Sequence, residues 1–278
     1  MRRNTLGGQL WAEFVGTALL ILLGDGVVAN VLFATRLGAP EAAPFSAYNW
    51  NTIAFGWGFA VAVAVYVTGG ITGAHINPAV TLAAIIRRTI APVTGLLYMV
   101  AQVLGAFFGA FLVHMLYYGS FAARGYTNVF YTGPASGYEN LVLNQYFAEI
   151  LGTFVLLVGV YAIVDNVRNV GPGANLWPLM VGFLVLAIGL SLGGPTGYAI
   201  NPARDFGPRL YAALFAGGAS DAFGTSYWLV PIIGPLIGGP LGALFYDFLI
   251  KPFLPTPSEP EPAPRGADVA HASTAEAR

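Results

Sequence analysis

The chain has 278 residues, of which 56% are hydrophobic and only 9% charged, with a formal net charge of −1 and no cysteine. Soluble domains carry about 25% charged residues, so this composition excludes a soluble globular domain and indicates an integral membrane protein. No cluster of Lys or Arg is present to attract nucleic acid. Without cysteine, disulfides, thiolate catalysis and thiolate metal sites are excluded as well.

Six long apolar segments predict membrane-spanning helices, because about 20 apolar residues suffice to cross a bilayer. They lie at 9–33, 51–68, 92–117, 143–164, 175–192 and 227–250. Three segments precede the loop at 118–142 and three follow it. Residues 252–278 are rich in Pro, Glu, Ala and Ser without a hydrophobic period, which predicts a disordered tail after a membrane domain at 1–251.

The motif Asn-Pro-Ala occurs twice, at 77–79 and 201–203. Asn is a strong N-cap and Pro fits the first helical turn, so each motif predicts the start of a helix. The apolar stretches that follow run over 78–86 and 202–215. Both are too short to span a bilayer, so the sequence predicts two half-helices.

Two blocks of sequence recur in the same order and indicate an internal duplication. Residues 12–17 resemble 148–153, and residues 73–79 resemble 197–203. The two copies cover about 6–117 and 143–251. Because each copy contains three spans, the second copy enters the membrane upside down. The predicted fold is an all-α membrane protein with six transmembrane helices and two re-entrant half-helices in an inverted repeat.

The basic residues predict the orientation of the chain. Arg and Lys at positions 2, 3, 87, 88, 168 and 251 lie on the side shared by both termini, whereas Arg at positions 36, 124 and 209 lies on the other side. Since cytoplasmic loops carry an excess of Lys and Arg, both termini are expected to be cytoplasmic.

The paired half-helices predict a pore for neutral polar solutes. The side-chain oxygens of Asn77 and Asn201 can cap their own helices, which leaves the amide groups as donors near the membrane midplane. Two positive helix-dipole ends meet there and disfavour cations. The non-helical approach segments are tolerable at this depth only beside a water-filled cavity, so their carbonyls are expected to be acceptors. The predicted carbonyls belong to Gly73, Ala74, Thr196, Gly197 and Ala199.

Other polar residues receive more modest interpretations. Glu13 and Glu149 are repeat-related carboxylates, and we expect them to accept hydrogen bonds from the non-helical loops rather than to carry protons. His75 is interpreted as a wall residue of the pore. The three histidines share no ligand spacing, so no metal site and no cofactor are predicted. Asp25 is an unusual charge inside the first span, and the sequence leaves open whether it borders the outer vestibule or is paired within the helix bundle.

With its double motif in an inverted repeat, the chain resembles the major intrinsic protein family, the aquaporins and aquaglyceroporins, over about residues 6–251. Three features resemble the glycerol-conducting branch of the family, namely Asp205 directly after Arg204, a basic residue at Arg209 and the pair Pro231-Ile232. Asp205 and Arg209 also have a purely structural reading, as an ion pair in the half-helix.

The resemblance further implies a selectivity site and its supports. The outer constriction maps onto Trp57, Gly189, Tyr198 and Arg204. Gly189 is expected to leave room for a carbon chain, while Tyr198 stands where bacterial glycerol facilitators often have Phe. The residues implied to support the half-helices are Pro78, Ala79, Pro202, Ala203, Asp205, Glu13 and Glu149.

The function implied by this resemblance is passive diffusion of glycerol and similar small neutral solutes such as urea, with some water and without ions or protons. The resemblance also implies a homotetramer in the lipid bilayer of the plasma membrane, not an enzyme. The alternatives are a water-preferring aquaporin, an ion-coupled secondary transporter and a non-conducting scaffold. A comparison of glycerol and water permeabilities distinguishes a water-preferring aquaporin from a glycerol channel. Gradient-driven accumulation of a solute would indicate a secondary transporter.

Overall fold

A computed structural model describes residues 5–33, 49–165 and 171–255, and in those residues the secondary structure is helical. Four of the basic residues used to predict orientation, Arg2, Arg3, Arg36 and Arg168, lie outside the described residues, as does the predicted tail from 256 onward. The predicted all-α fold class is confirmed.

Ten α-helices are described in these ranges. They are α1 (Leu6–Phe33), α2 (Trp50–Thr72), α3 (Pro78–Ile86), α4 (Pro92–Leu116), α5 (Tyr118–Arg124), α6 (Val142–Val164), α7 (Trp177–Leu192), α8 (Pro202–Phe215), α9 (Ala219–Ala222) and α10 (Val230–Phe245). A 3₁₀ turn, Ser226–Leu229, leads into α10, and a π-helical turn, Tyr246–Ile250, and a 3₁₀ turn, Lys251–Phe253, follow it. The predicted tail at 252–278 therefore begins with residues that still belong to the last helical segment.

Five of these helical segments are long and apolar enough to cross a membrane, namely α1, α2, α4, α6 and the segment Ser226–Phe253. The remaining predicted span, α7, has only 16 residues and begins at Trp177, later than the predicted residue 175. At 1.5 Å per residue it is about 24 Å long, less than the roughly 30 Å hydrocarbon core. Residues 173–176 form turns, and the helix starts where Pro178 fits its first turn.

The helix packing follows the predicted duplication. In the first half α1 packs against α2 and α4, and in the second half α6 packs against α7 and α10. The half-helices cross between the halves, since α3 packs against α10 and α8 against α4. Helices α2 and α7 contact each other directly. Each of these contacts therefore has its counterpart in the other half, as an inverted repeat with a two-fold relation requires.

Small residues bring paired helices into close contact at equivalent places. A side chain on Gly105 of α4 would overlap the carbonyl oxygen of Phe14 in α1. A side chain on Gly238 of α10 would overlap the carbonyl oxygen of Ile150 in α6. Such glycines let backbones approach closely, which is how helices associate within a membrane.

The connection predicted as a loop at 118–142 has structure of its own. It begins with α5 and continues through an irregular segment in which Phe130 and Thr132 are buried. Backbone and side chain of Thr132 both donate to Asp205 of α8, at 2.8 and 2.7 Å. This segment is therefore fixed over the start of the second half-helix.

Candidate functional site

The two half-helices start opposite each other, and each is capped by its own Asn. Asn77 Oδ1 accepts a hydrogen bond from the Ala79 amide at 2.8 Å, with Pro78 in the first turn of α3. Asn201 Oδ1 accepts from the amides of Ala203 and Arg204, at 3.0 and 3.3 Å. These are the N-cap bonds that the motif predicts, and they aim two helix N-termini at the same region.

The amide groups of the two asparagines cross-link the half-helices. Asn77 Nδ2 donates to the Ile200 carbonyl and Asn201 Nδ2 donates to the Ile76 carbonyl, both at 2.9 Å. The sequence suggests that the whole amide group faces the pore, whereas the structure uses one hydrogen of each amide to join the two repeats. One N–H per Asn remains for a solute, since an amide group has two donors.

The segments before each Asn adopt an unusual backbone. Ala74, Ile76, Tyr198 and Ile200 have φ between +42° and +50°, in the left-handed region that L-residues rarely occupy. Each such residue costs on the order of 1–3 kcal/mol unless its surroundings hold it. Because these left-handed residues occur at every second position, backbone N–H groups of each segment point toward the same side. These N–H groups need hydrogen-bond acceptors.

The two buried glutamates supply those acceptors in an equivalent way. Glu13 accepts from the amides of His75 and Ile76, at 3.0 and 2.7 Å, and from the Thr72 hydroxyl at 2.5 Å. Glu149 accepts from the amides of Ala199 and Ile200, at 3.0 and 2.8 Å, and from the hydroxyl of Thr196 at 2.7 Å. Both glutamates thus occupy the supporting position expected from the sequence.

A cavity of about 350 Å³ runs along the meeting point of the half-helices. One end is lined by Trp57, Tyr198 and Arg204, and the middle is lined by both asparagines. Toward the other end it passes His75 and reaches Thr89. The remaining lining is largely aliphatic, so polar groups are confined to a few positions along an apolar wall.

The end of the cavity at Arg204 places an aromatic corner against a guanidinium. The Arg204 guanidinium carbon lies 4.0 Å from the centre of the Trp57 ring, and Arg204 Nη1 donates to the Phe130 carbonyl at 3.2 Å. Tyr198 lines the same end. One side of the opening is thus aromatic, while the other offers hydrogen-bond donors.

A family model described as "Major intrinsic protein" matches residues 1–246. The chain belongs to the major intrinsic protein family. This is a family of multi-pass membrane channels, so the expectation that the chain is not an enzyme is confirmed.

Several relatives agree with this membership. A "Probable glycerol uptake facilitator protein" of Thermotoga maritima is 51% identical over 245 residues, which is 86% of this chain and 97% of that protein. The "Glycerol uptake facilitator protein" of Escherichia coli K12 is 40% identical over 273 residues, 91% of each chain. The solved aquaglyceroporin of Plasmodium falciparum aligns with a TM-score of 0.74 at 30% identity, covering 89% of this chain and 98% of that one.

In this family member, Gly189 does not leave the open space that the sequence suggests. The position where a side chain on Gly189 would begin is only 2.7 Å from Tyr198 Cζ and 2.9 Å from its hydroxyl oxygen. The Tyr198 ring therefore fills the space above Gly189, and Gly189 does not itself line the cavity. The correction has a simple cause, since the residue that takes up the freed space lies nine positions further along the chain.

Trp50, which the sequence analysis did not single out, holds this ring in place. Its indole nitrogen donates to the Gly189 carbonyl at 3.0 Å, and its ring meets the Tyr198 ring edge-on at 5.7 Å between centroids. A side chain on Gly193 would contact both rings. In the sequence, the one feature that points to Trp50 is its position directly before the predicted span at 51–68.

The predicted carbonyl acceptors divide into two groups. Gly73, Ala74 and Ala199 line the cavity, whereas Thr196 and Gly197 are not part of its lining. The Thr196 carbonyl instead accepts a hydrogen bond from the Tyr227 hydroxyl at 3.0 Å. A non-helical backbone exposes carbonyls in several directions, and packing decides which of them face the lumen.

Asp205 and Arg209 form a buried ion pair away from the lumen. Arg209 Nε lies 2.7 Å from Asp205 Oδ1, and its other nitrogens donate to the carbonyls of Ala222 and Thr132, at 2.8 Å each. These contacts agree with the interpretation of Asp205 and Arg209 as an ion pair that stabilises the half-helix. Arg209 counts as a loop charge in the prediction of orientation, but it is buried and does not belong to an exposed loop.

His75 contacts the half-helix beside it. Its Nδ1 lies 3.1 Å from the Thr81 hydroxyl, and its ring meets the Tyr98 ring edge-on at 5.6 Å. Among the described residues, no group of three His, Asp or Glu side chains is arranged to hold a metal ion. His75 is thus a hydrogen-bonded wall residue of the cavity.

Proposed function

We propose that this chain is a passive channel for glycerol and similar small neutral solutes, which also admits water. The observation that carries the proposal is the amphipathic lining at the Arg204 end of the cavity. The rings of Trp57 and Tyr198 suit the CH backbone of a polyol, and the guanidinium of Arg204 suits its hydroxyls. The names of the relatives from Thermotoga maritima and Escherichia coli support glycerol as the solute.

The remaining lumen residues extend this assignment. One amide hydrogen each from Asn77 and Asn201, together with the carbonyls of the approach segments, can replace the hydrogen bonds of a hydroxyl or of water. They cannot replace the hydration shell of an ion, and a cation would also be repelled by two positive helix ends and by Arg204. We therefore propose that ions and protons are excluded, and that urea follows the same path as other neutral solutes.

The assembly and location of the channel are part of the same proposal. We place it in the plasma membrane with both termini in the cytoplasm, because the basic residues Arg87, Arg88 and Lys251 are predicted on the same side of the membrane as the termini. A homotetramer with one pore per subunit agrees with the exposed apolar side chains along the spans, such as Phe55, Phe59 and Leu104. Crosslinking in membranes, followed by denaturing gel analysis, tests the predicted tetramer.

A water-preferring channel is the second candidate, and one observation favours it. The Tyr198 ring fills the space over Gly189, and its buried hydroxyl has no hydrogen-bond partner among the described residues. Both features make the opening narrower and more polar than the sequence suggests. The ratio of glycerol to water permeability distinguishes this candidate from the first.

Stopped-flow light scattering on proteoliposomes tests the proposal directly. After mixing with hypertonic glycerol, vesicles with the native protein should shrink and then reswell faster than protein-free liposomes. Trp57→Ala removes the apolar platform and a cation–π contact worth about 0.5–2 kcal/mol, so the glycerol-to-water permeability ratio should fall. Shrinking without faster reswelling would favour the water channel, and no acceleration of either phase would exclude a channel.

The same assay gives a prediction about inhibition. Mercurials block pores by binding cysteine thiolates, and the printed sequence contains no cysteine. Low concentrations of a mercurial should therefore leave both permeabilities unchanged. Replacing Val61, which lines the cavity, by Cys should create sensitivity and serves as the positive control. Specific inhibition of the native protein would contradict the proposed path.

A further inference from the structure

Asp25 is a carboxylate buried in the middle of the first spanning helix. Its side chain has no exposed surface, although α1 is otherwise apolar around it. Burial of a charged group is strongly unfavourable unless a partner of opposite charge compensates. Acidic residues inside membrane spans are rare for this reason and usually belong to a functional arrangement.

The partner of Asp25 is Arg204, the arginine that lines the cavity beside Trp57 and Tyr198. Asp25 Oδ1 lies 3.5 Å from Arg204 Nη1, and the two residues belong to opposite repeats. Asp205, the acidic neighbour of Arg204 in the chain, is occupied by Arg209 and Thr132. In the part of the chain that the structure describes, Asp25 is therefore the acidic side chain paired with Arg204.

The same stretch of α1 also supports the aromatic side of the opening. A side chain on Gly24 would overlap the six-membered ring of Trp57, so the α1 backbone lies directly behind that ring. Trp57 in turn lies 4.0 Å from the guanidinium carbon of Arg204. Residues 24 and 25 thus form one backing surface for Trp57 and Arg204, and neither of them lines the cavity.

We propose that Asp25 is a positioning residue for Arg204, which it holds against the wall of the opening while offsetting the charge that a passing solute meets. This inference deepens the proposed function and rests on it. Nη1 is shared between Asp25 and the Phe130 carbonyl, so the remaining guanidinium donors stay available to hydroxyls in the lumen. Without the carboxylate, the attraction toward α1 is lost and the guanidinium moves toward the lumen.

The first test is Asp25→Asn, which keeps the shape and removes the charge. Glycerol permeability in proteoliposomes should fall roughly fivefold or more, because the guanidinium loses the charged partner that holds it against the wall. In the Arg204→Val background the same replacement should change glycerol permeability by less than about twofold, since a residue that acts through Arg204 shows no additive effect. An equal loss in both backgrounds, or none in either, would overturn the proposal.

The second test measures charge and does not require glycerol conduction. In Arg204→Val the buried carboxylate has lost its partner, so the opening should admit protons. This leak is read with an internal pH-sensitive dye under a potassium diffusion potential. Adding Asp25→Asn should abolish the leak, and a leak that persists would contradict the role of Asp25. If Arg204→Val alone fails to fold, recovery of folded protein in the double variant supports the pairing, and failure of both contradicts it.

Thr17→Val is the matched control for loss of a buried polar group on the same helix. The Thr17 hydroxyl donates within α1, to the Glu13 carbonyl at 2.7 Å, and Thr17 precedes Asp25 by eight residues in that helix. It should leave the proton leak of Arg204→Val unchanged. Failure of the native protein to conduct glycerol would reject the proposed function, whereas the proton measurements would still decide the role of Asp25.

Discussion

Glu149→Ala is expected to remove most of the folded protein. The substitution orphans the amides of Ala199 and Ile200 and the hydroxyl of Thr196, all deep in the membrane domain. Each buried donor without a partner costs about 1–3 kcal/mol. The left-handed backbone of Tyr198 and Ile200 also loses the contacts that hold it. The sum is comparable with the whole stability of many proteins, about 5–15 kcal/mol.

Folded yield from size-exclusion chromatography in detergent, together with the unfolding temperature, measures this effect. Glu149→Gln should lie between native and Ala, because one acceptor oxygen remains while an amide donor replaces the other. Glu139→Ala removes an exposed carboxylate near the same repeat and is the matched control, which should retain native yield. Normal yield with altered permeation in Glu149→Ala would show that this glutamate belongs to the transport path.

Gly189→Ala is expected to reduce glycerol permeability by about tenfold or more. The new methyl group would begin 2.7 Å from Tyr198 Cζ, so the ring must move. Trp50 and the backbone at Gly193 block its other sides, which leaves the lumen as the free direction. Overpacking costs about 1–3 kcal/mol in a closed core, and here the ring relieves the clash by narrowing the opening.

Paired variants separate this effect from a loss of folding. Gly70→Ala adds a methyl group in α2 where no atom lies within 4 Å, so it should behave like the native protein. In a Tyr198→Ala background, Gly189→Ala should change glycerol permeability little, because the ring that it displaces is absent. An undiminished loss in that background would mean that the methyl group itself blocks the solute.

The sequence determined those features whose causes are local in the chain. A helix begins at each Asn-Pro because the cap and the fixed φ of proline act within one turn, and α3 and α8 begin at Pro78 and Pro202. The spans follow from apolar length alone, since lipid requires every backbone group to be satisfied within the helix. The prediction for α7 is too long, because apolar composition does not show where turns replace the first residues of a helix.

The tertiary structure alone decided which groups face the lumen. The cross-links of Asn77 to Ile200 and of Asn201 to Ile76 join residues more than 120 positions apart. The Tyr198 ring over Gly189 and the pairing of Asp25 with Arg204 likewise depend on where helices of the two repeats come to rest. Residue type gives each group its donors, acceptors or charge, whereas only packing between distant segments gives it a partner.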